Sequence, residues 1–309
     1  FPAATARHEA ALAIWRQLDD RPGQVRSLLN LGLVADIRGE PGRAVRLFEE
    51  ALHLARRVGD EAGIAGCLAN LGFAALDQGN QAAAAAYFRE SIPIYRDHGD
   101  QRNLGAVLDG LGVVAFLEGD FDGAAALQAE ALDQLRAVGD RQGTAGVLAN
   151  LGHTTQRLGD YPRAERLYAD AHELYRDLGD ESGIAFALTH LGRLAHLGGD
   201  PGRAEALLRE SFHLSWRLGE RTAVCEAMEG LATVALDRGE AAQTTRLLGA
   251  AGALREATGV PLPAVHEAEH WRCLETARAA LGEPAFAAAL DEGRNLLSEP
   301  ALLALTSGE

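Results

Sequence analysis

Apolar residues along the chain recur at helical rather than strand spacing, and they do so on a long beat. Leu31-Gly32, Leu71-Gly72, Leu111-Gly112, Leu151-Gly152 and Leu191-Gly192 stand 40 residues apart, and Leu231-Ala232 continues the series. Polar punctuation keeps the same time: Gly39-Glu40, Gly79-Asn80, Gly119-Asp120, Gly159-Asp160, Gly199-Asp200 and Gly239-Glu240. A second set falls midway, from Gly59-Asp60 through Gly99-Asp100, Gly139-Asp140 and Gly179-Asp180 to Gly219-Glu220. Two turns per period leave two segments of about 17 residues, too long for typical strands and suited to helices. Glycine supplies the left-handed residue past a helix end, and the following Asp or Asn caps the next helix. Pro41, Pro162 and Pro201 fall near the starts of second helices, where a missing N–H costs nothing. No strand-like alternation interrupts the series, so the repeat is a helix hairpin and the fold is all-α.

Within each period the large and small positions are ordered. The repeat around Leu31 has Leu28, Leu31 and Gly32 on its first helix and Ala44, Phe48 and Ala51 on its second; the fourth has Leu148, Leu151, Gly152, Ala164, Tyr168 and Ala171. This order resembles the tetratricopeptide repeat, in which the small residues mark the close crossing of the two helices. The resemblance covers residues 1–258, about six repeats, and implies a right-handed α-solenoid superhelix. It departs from the family pattern in three respects. Leu replaces the usual Trp, Ala or Thr the usual Tyr, and the period is 40 rather than 34, with Arg-X-Leu/Val-Gly-Asp where a proline is usual. HEAT repeats share the period but not this spacing.

Both ends break phase. Ala4, Glu9, Ala11 and Ile14 align with the second-helix residues Ala44, Glu49, Ala51 and Leu54, so the chain opens halfway through a repeat and upstream sequence is expected. After Val260-Pro261-Leu262-Pro263 the beat is lost, and residues 259–309 are expected to form a helical cap, with helices near 264–281, 284–297 and 299–305. This stretch resembles a recurring tail of bacterial STAND-type signal-transduction ATPases that carry LuxR-type or related DNA-binding domains. The residues that carry the resemblance are Arg246-Leu247-Leu248-Gly249, Pro263, Ala277-Arg278-Ala279-Ala280-Leu281-Gly282, Phe286 and Glu292-Gly293-Arg294. In those proteins tetratricopeptide arrays act as sensors for the remaining domains of the same polypeptide.

Composition narrows the function classes. The 309 residues are 47% hydrophobic and 24% charged, ordinary for a globular chain. There is no lysine: all 29 basic residues are arginine, against 44 acidic ones, for a net charge of −15. A Walker A loop, a pyridoxal Schiff base and an SxxK nucleophile are therefore impossible within this chain. An acidic chain repels phosphate backbones and anionic leaflets, which argues against direct nucleic-acid or membrane partners. No apolar run approaches the roughly 18 residues needed to span a bilayer. Cys67, Cys225 and Cys273 lack metal or redox spacing and read as reduced core thiols of a cytoplasmic protein. No cofactor is expected.

One enzyme motif matches literally. His266-Glu267-Ala268-Glu269-His270 satisfies HExxH, which in a zincin sets two imidazoles and a glutamate base on one helical face. The extension that would supply a third ligand fails at Cys273, and no strand precedes the helix. A charged face on a capping helix is the preferred reading, and a metallohydrolase using His266, Glu267 and His270 is the remote alternative. No GxSxG or Gly-rich phosphate loop is present.

Recognition is the better expectation. In such solenoids the first helix of each hairpin lines the concave side. The residue before each Leu-Gly reads Asn30, Asn70, Gly110, Asn150, His190 and Gly230, a ladder whose amides either grip an extended peptide or bond a neighbouring helix. Further along the same face, Leu33, Phe73 and Val113 give way to His153, Gln156 and Arg157, then to Arg193 and His196. The groove is thus expected to turn from apolar to basic between residues 150 and 196, fitting an anionic effector or an acidic peptide held by arginine forks. His98, His172 and His213 read as surface or packing residues of second helices. The sequence therefore predicts a non-catalytic module that binds a protein, peptide or anionic small effector, as the sensor of a larger transcriptional regulator. A plain protein-interaction scaffold is the alternative, and a homodimer through the N-terminal face is a further possibility.

Overall fold

The computed structural model describes residues 2–262, 264–296 and 306, without the side chains of residues 2–4 and 264–266. Among the described residues there are fifteen α-helices and no strand. The chain forms two compact units, Phe1–Asp160 and Tyr161–Glu309. The first holds α1 (Pro2–Gln17), α2 (Arg21–Ile37), α3 (Pro41–Val58), α4 (Glu61–Asp77), α5 (Gln81–His98), α6 (Gln101–Leu117), α7 (Phe121–Ala137) and α8 (Arg141–Arg157). The second holds α9 (Tyr161–Leu178), α10 (Glu181–Leu197), α11 (Pro201–Leu218), α12 (Arg221–Asp237), α13 (Ala241–Thr258), α14 (Ala264–Leu281) and α15 (Glu283–Asn295).

Helix boundaries follow the expected turn chemistry. The carboxylates of Asp60 and Asp120 each accept the N–H of the glycine three residues on, at 2.9 Å. Asp20, Asp140 and Asp180 cap α2, α8 and α10 in the same way. Each such cap contributes about 1 kcal/mol. At the other end Gly59 takes φ +70°, which a residue with a Cβ adopts only under strain.

Hairpins lock where a bulky second-helix residue meets the first-helix glycine. Phe48 lies against Gly32 and Phe88 against Gly72, so closely that a Cβ on either glycine would come within 2.3 or 2.5 Å of the ring. The third repeat places Gln128 in the aromatic position, where it is 1% exposed. Its amide oxygen accepts from Thr154 Oγ1 at 2.7 Å, which removes the cost of burying it. In the second unit Leu208 fills the same place beside Gly192 and Gly230.

Stacking of hairpins differs on the two sides. Consecutive first helices pack directly on one another, α2 on α4, α4 on α6 and α6 on α8. Consecutive second helices are instead bridged by long side chains: Arg16–Glu50 at 3.0 Å, Arg56–Glu90 at 2.6 Å and Arg96–Glu130 at 2.7 Å. Close packing on one side and side-chain struts on the other make the first-helix face the inner, tighter curve of this unit.

At the C-terminal end α15 packs on α13, and α14 lies against α13 and α12. Arg246, Gly249, Phe286, Glu292, Gly293 and Arg294 of the motif noted in the sequence meet here, and Pro263 lies outside the described residues. A Cβ on Gly293 would fall 2.2 Å from the Arg246 carbonyl, and one on Gly249 2.6 Å from that of Leu290, so α13 and α15 cross through paired glycines. Arg246–Glu292 at 2.7 Å and Arg294–Glu256 at 2.6 Å flank the crossing. Arg278 covers the ring of the buried Phe286 at 4.5 Å. The segment expected to be helical at 299–305 lies outside the described residues.

Candidate functional site

On the inner face of Phe1–Asp160 the first helices present Leu33, Phe73 and Val113 at successive repeats. Leu33 is 40% and Phe73 37% exposed, and Ile37 and Leu117 add to the open apolar surface. Phe73 stands edge-on to the core Phe88, with centroids 5.0 Å apart, which fixes the exposed ring. The asparagine ladder is partly consumed by the protein. Asn70 Nδ2 donates to its own helix, at 2.7 Å from the Gly66 carbonyl, and Asn150 Nδ2 donates to Asp109 Oδ2 of the neighbouring α6 at 2.9 Å. Asn30 is half-buried on α2. The second carboxylate oxygen of Asp109 is buried without a hydrogen-bond partner. Burial pushes the Asp109 carboxyl up to about 6, against the opposing effect of the Asn150 hydrogen bond.

The residues expected to turn the groove basic fall on both units. In the first, His153 tilts over Phe116 with centroids 4.6 Å apart, and the Arg157 guanidinium lies 5.3 Å from the Phe121 ring. Phe116 and Phe121 are themselves edge-on at 5.3 Å, so both basic groups rest on an aromatic base. Gln156 is half-buried beside them on α8.

In the second unit the remaining three are engaged internally. His190 is 7% exposed and stacks flat on Tyr168, at 4.7 Å with 7° between planes, so it belongs to the core rather than to an open surface. Arg193 pairs with Glu269 of α14 at 3.3 Å and donates to the Glu226 carbonyl at 3.2 Å. His196 Nε2 lies 3.2 Å from Asp237 Oδ2.

Beneath this surface lies a pair that the sequence did not announce. Arg255 of α13 and Glu229 of α12 form a buried, two-pronged ion pair. Glu229 occupies the position held by Asp109 in an earlier repeat and by Leu29 in the first, and this recurrence of an acid at an apolar site was the available signal.

Of the HExxH motif the structure describes the side chains of Glu267 and His270. His270 is half-buried among Glu229, Thr233 and Cys273, and desolvation lowers its imidazole pKa. Glu267 is exposed, and the His266 side chain lies outside the described residues. Among the described residues no group of three or more His, Cys, Asp or Glu could hold a metal ion. All three cysteines are free and buried, and burial pushes the Cys67 and Cys225 thiols up to about 12, far from a reactive thiolate. No helix among the described residues is long and apolar enough to cross a membrane.

Helix hairpins stacked with an inner and an outer face define an α-helical repeat protein built to present a surface. A tetratricopeptide repeat model matches residues 1–57, 38–97, 103–177 and 143–214, and the chain belongs to that family. The family fold is typically a non-catalytic interaction scaffold. No curated protein matches the sequence. Among solved structures the chain is similar to a STAND protein with a tetratricopeptide repeat sensor from Pyrococcus horikoshii, with a TM-score of 0.67 at 15% identity. That match covers 96% of this chain but only 46% of the other. BtubC (BKLC) from P. vanneervenii matches with a TM-score of 0.60 at 19% identity, over 71% of this chain and 92% of that one. A Rap protein complexed with Competence and Sporulation Factor matches with a TM-score of 0.60 at 14% identity, over 88% and 77%. At these identities the likeness concerns the fold.

Proposed function

We propose that this chain is a non-catalytic recognition module that binds a peptide or protein segment, and that it serves as the sensor arm of a larger cytoplasmic regulator. The observation that carries the reading is the apolar strip of the exposed Leu33 and Phe73 and the half-buried Val113, one residue per repeat on the inner face of the first unit, beside Asn30 and Asn70. Apolar anchors at a fixed spacing with amides alongside are what an extended or helical segment requires of its receptor. His153 and Arg157 lie on the same unit and would favour an acidic residue in that segment. Arg193 and His196 already face carboxylates of their own chain, which favours the first unit as the seat of the peptide. The sensor role is supported by the likeness to the STAND protein and by the tail motif at the α13–α15 crossing. In this reading residues 1–258 are the array, residues 259–309 cap it, and a ligand acts by favouring one arrangement of the polypeptide over another.

The test is selection of a random 12-residue peptide library on the immobilised chain. Enriched peptides should share spaced apolar residues, and their binding should fall at least tenfold on Leu33→Asp, with helical circular dichroism unchanged. No enrichment, or equal binding by Leu33→Asp, would sink the reading.

A further inference from the structure

In the second unit Arg203–Glu165 at 2.6 Å still joins α11 to α9, but the strut register of the first unit is not kept, and a cleft stands there. In the first unit each strut joins an arginine near the end of one second helix to a glutamate 34 residues on, in Arg16–Glu50, Arg56–Glu90 and Arg96–Glu130. In Tyr161–Glu309 the residues in that register are Arg176 of α9 and Glu210 of α11. They form no ion pair; both line a cleft of about 1260 Å³.

Two departures from the repeat accompany the opening. The second-helix position occupied by the buried Leu12, Leu52, Ile92 and Leu132 holds His172, a half-buried imidazole that lines the cleft. The position of Arg16, Arg56, Arg96 and Arg176 holds Trp216 in the next period. Trp216 stacks on Phe212 at 6.1 Å, and the Arg221 guanidinium lies over its ring at 4.3 Å. Arg221 Nη1 is buried with no hydrogen-bond partner, an unmet donor on a cation. Arg221 also lines the cleft, where an arriving anion can pair with the open part of its guanidinium. Arg217 is held by Glu181 at 2.7 Å, so Arg176 and Arg221 are the arginines of the cleft left without an ion pair. Burial and the charge of Arg176 lower the His172 pKa, so at neutral pH the ring offers a neutral polar edge. Ile184 and Leu214 supply apolar wall.

We infer that this cleft is a binding site for a small organic carboxylate with an apolar body, its carboxylate taken by Arg176 and Arg221 and its body by Ile184, Leu214 and the edge of Trp216. Mixed apolar lining with a few convergent polar groups is the composition of small-ligand sites. The site lies on the second-helix side of its own unit and shares no residue with the peptide strip proposed above.

The experiment is isothermal titration of the chain with 1-naphthoate, with the uncharged 1-naphthalenemethanol as comparison. The expected result is saturable one-to-one binding of naphthoate, weakened by salt and at least tenfold stronger than that of the alcohol. Arg221→Met and Arg176→Met should each weaken it at least tenfold. Absence of naphthoate binding at millimolar concentration, or binding indifferent to both arginine substitutions, would overturn the assignment.

Discussion

Arg255 donates to both oxygens of Glu229, Nε to Oε1 at 2.9 Å and Nη2 to Oε2 at 3.2 Å, and each side chain is only 7% exposed. Nη1 of the same arginine donates to the Pro261 carbonyl at 3.0 Å, so one side chain ties α12, α13 and the entry to α14 together. Removing one partner of a buried pair leaves a charge without compensation, which costs about 3–5 kcal/mol. Arg255→Met should therefore lower the urea midpoint sharply. The double variant Arg255→Met/Glu229→Leu should recover most of the loss, because no charge is then stranded. A single variant as stable as the parent would show that water reaches the pair.

Two glycines on one helix should respond in opposite directions to the same substitution. On α4 a Cβ at Gly72 would lie 2.5 Å from Phe88, whose ring is fully buried and has nowhere to move. Gly72→Ala should cost about 1–3 kcal/mol through overpacking. At Gly66 the nearest atom is Leu29 Cδ1 at 3.6 Å, an ordinary contact. Gly66→Ala should gain about 0.5–1 kcal/mol, the helical preference of alanine over glycine. Thermal melts of the two variants side by side decide the matter, and a stabilising Gly72→Ala would contradict the close crossing described here.

Asp109 should make stability depend on pH in the direction opposite to most carboxylates. Its pKa is raised to about 6 in the folded protein, so between the unfolded value near 3.8 and about pH 6 the native state binds more protons than the unfolded one. Its contribution is therefore most favourable below pH 4 and is lost as pH rises through 6, a change of up to about 3 kcal/mol. Asp109→Asn keeps an acceptor for Asn150 and carries no charge. The variant's advantage over the parent in urea unfolding should be small at pH 4 and grow by pH 7. An advantage that does not change with pH would mean that Asp109 is solvated.

The hairpin and its beat were legible because they rest on local chemistry. Gly59-Asp60 ends one helix and caps the next whatever surrounds it, and Gly32 is small because Phe48 needs the space. Side-chain direction was less legible. His190 occupies the ladder position of Asn70 and Asn150, yet Phe186 and Tyr168 on either side offer it a stacked, buried place. The partner of Arg193 lies 76 residues away, on a helix outside the period, so no periodic argument could supply Glu269. The cleft beside Trp216 was hidden for another reason. It arises from a contact not made, between Arg176 and Glu210, and both of those residues follow the repeat faithfully.

Direct packing in the first unit never reaches beyond the second helix along the chain: α2 touches α3 and α4, and α4 touches α5 and α6. The mean sequence distance between partners therefore stays constant however many hairpins are present, and such chains close their loops cheaply and fold quickly. Length becomes a free variable for evolution. A whole 40-residue unit can be gained or lost by recombination between like repeats, and a single genetic event then lengthens or shortens the recognition surface while every surviving contact keeps its partner.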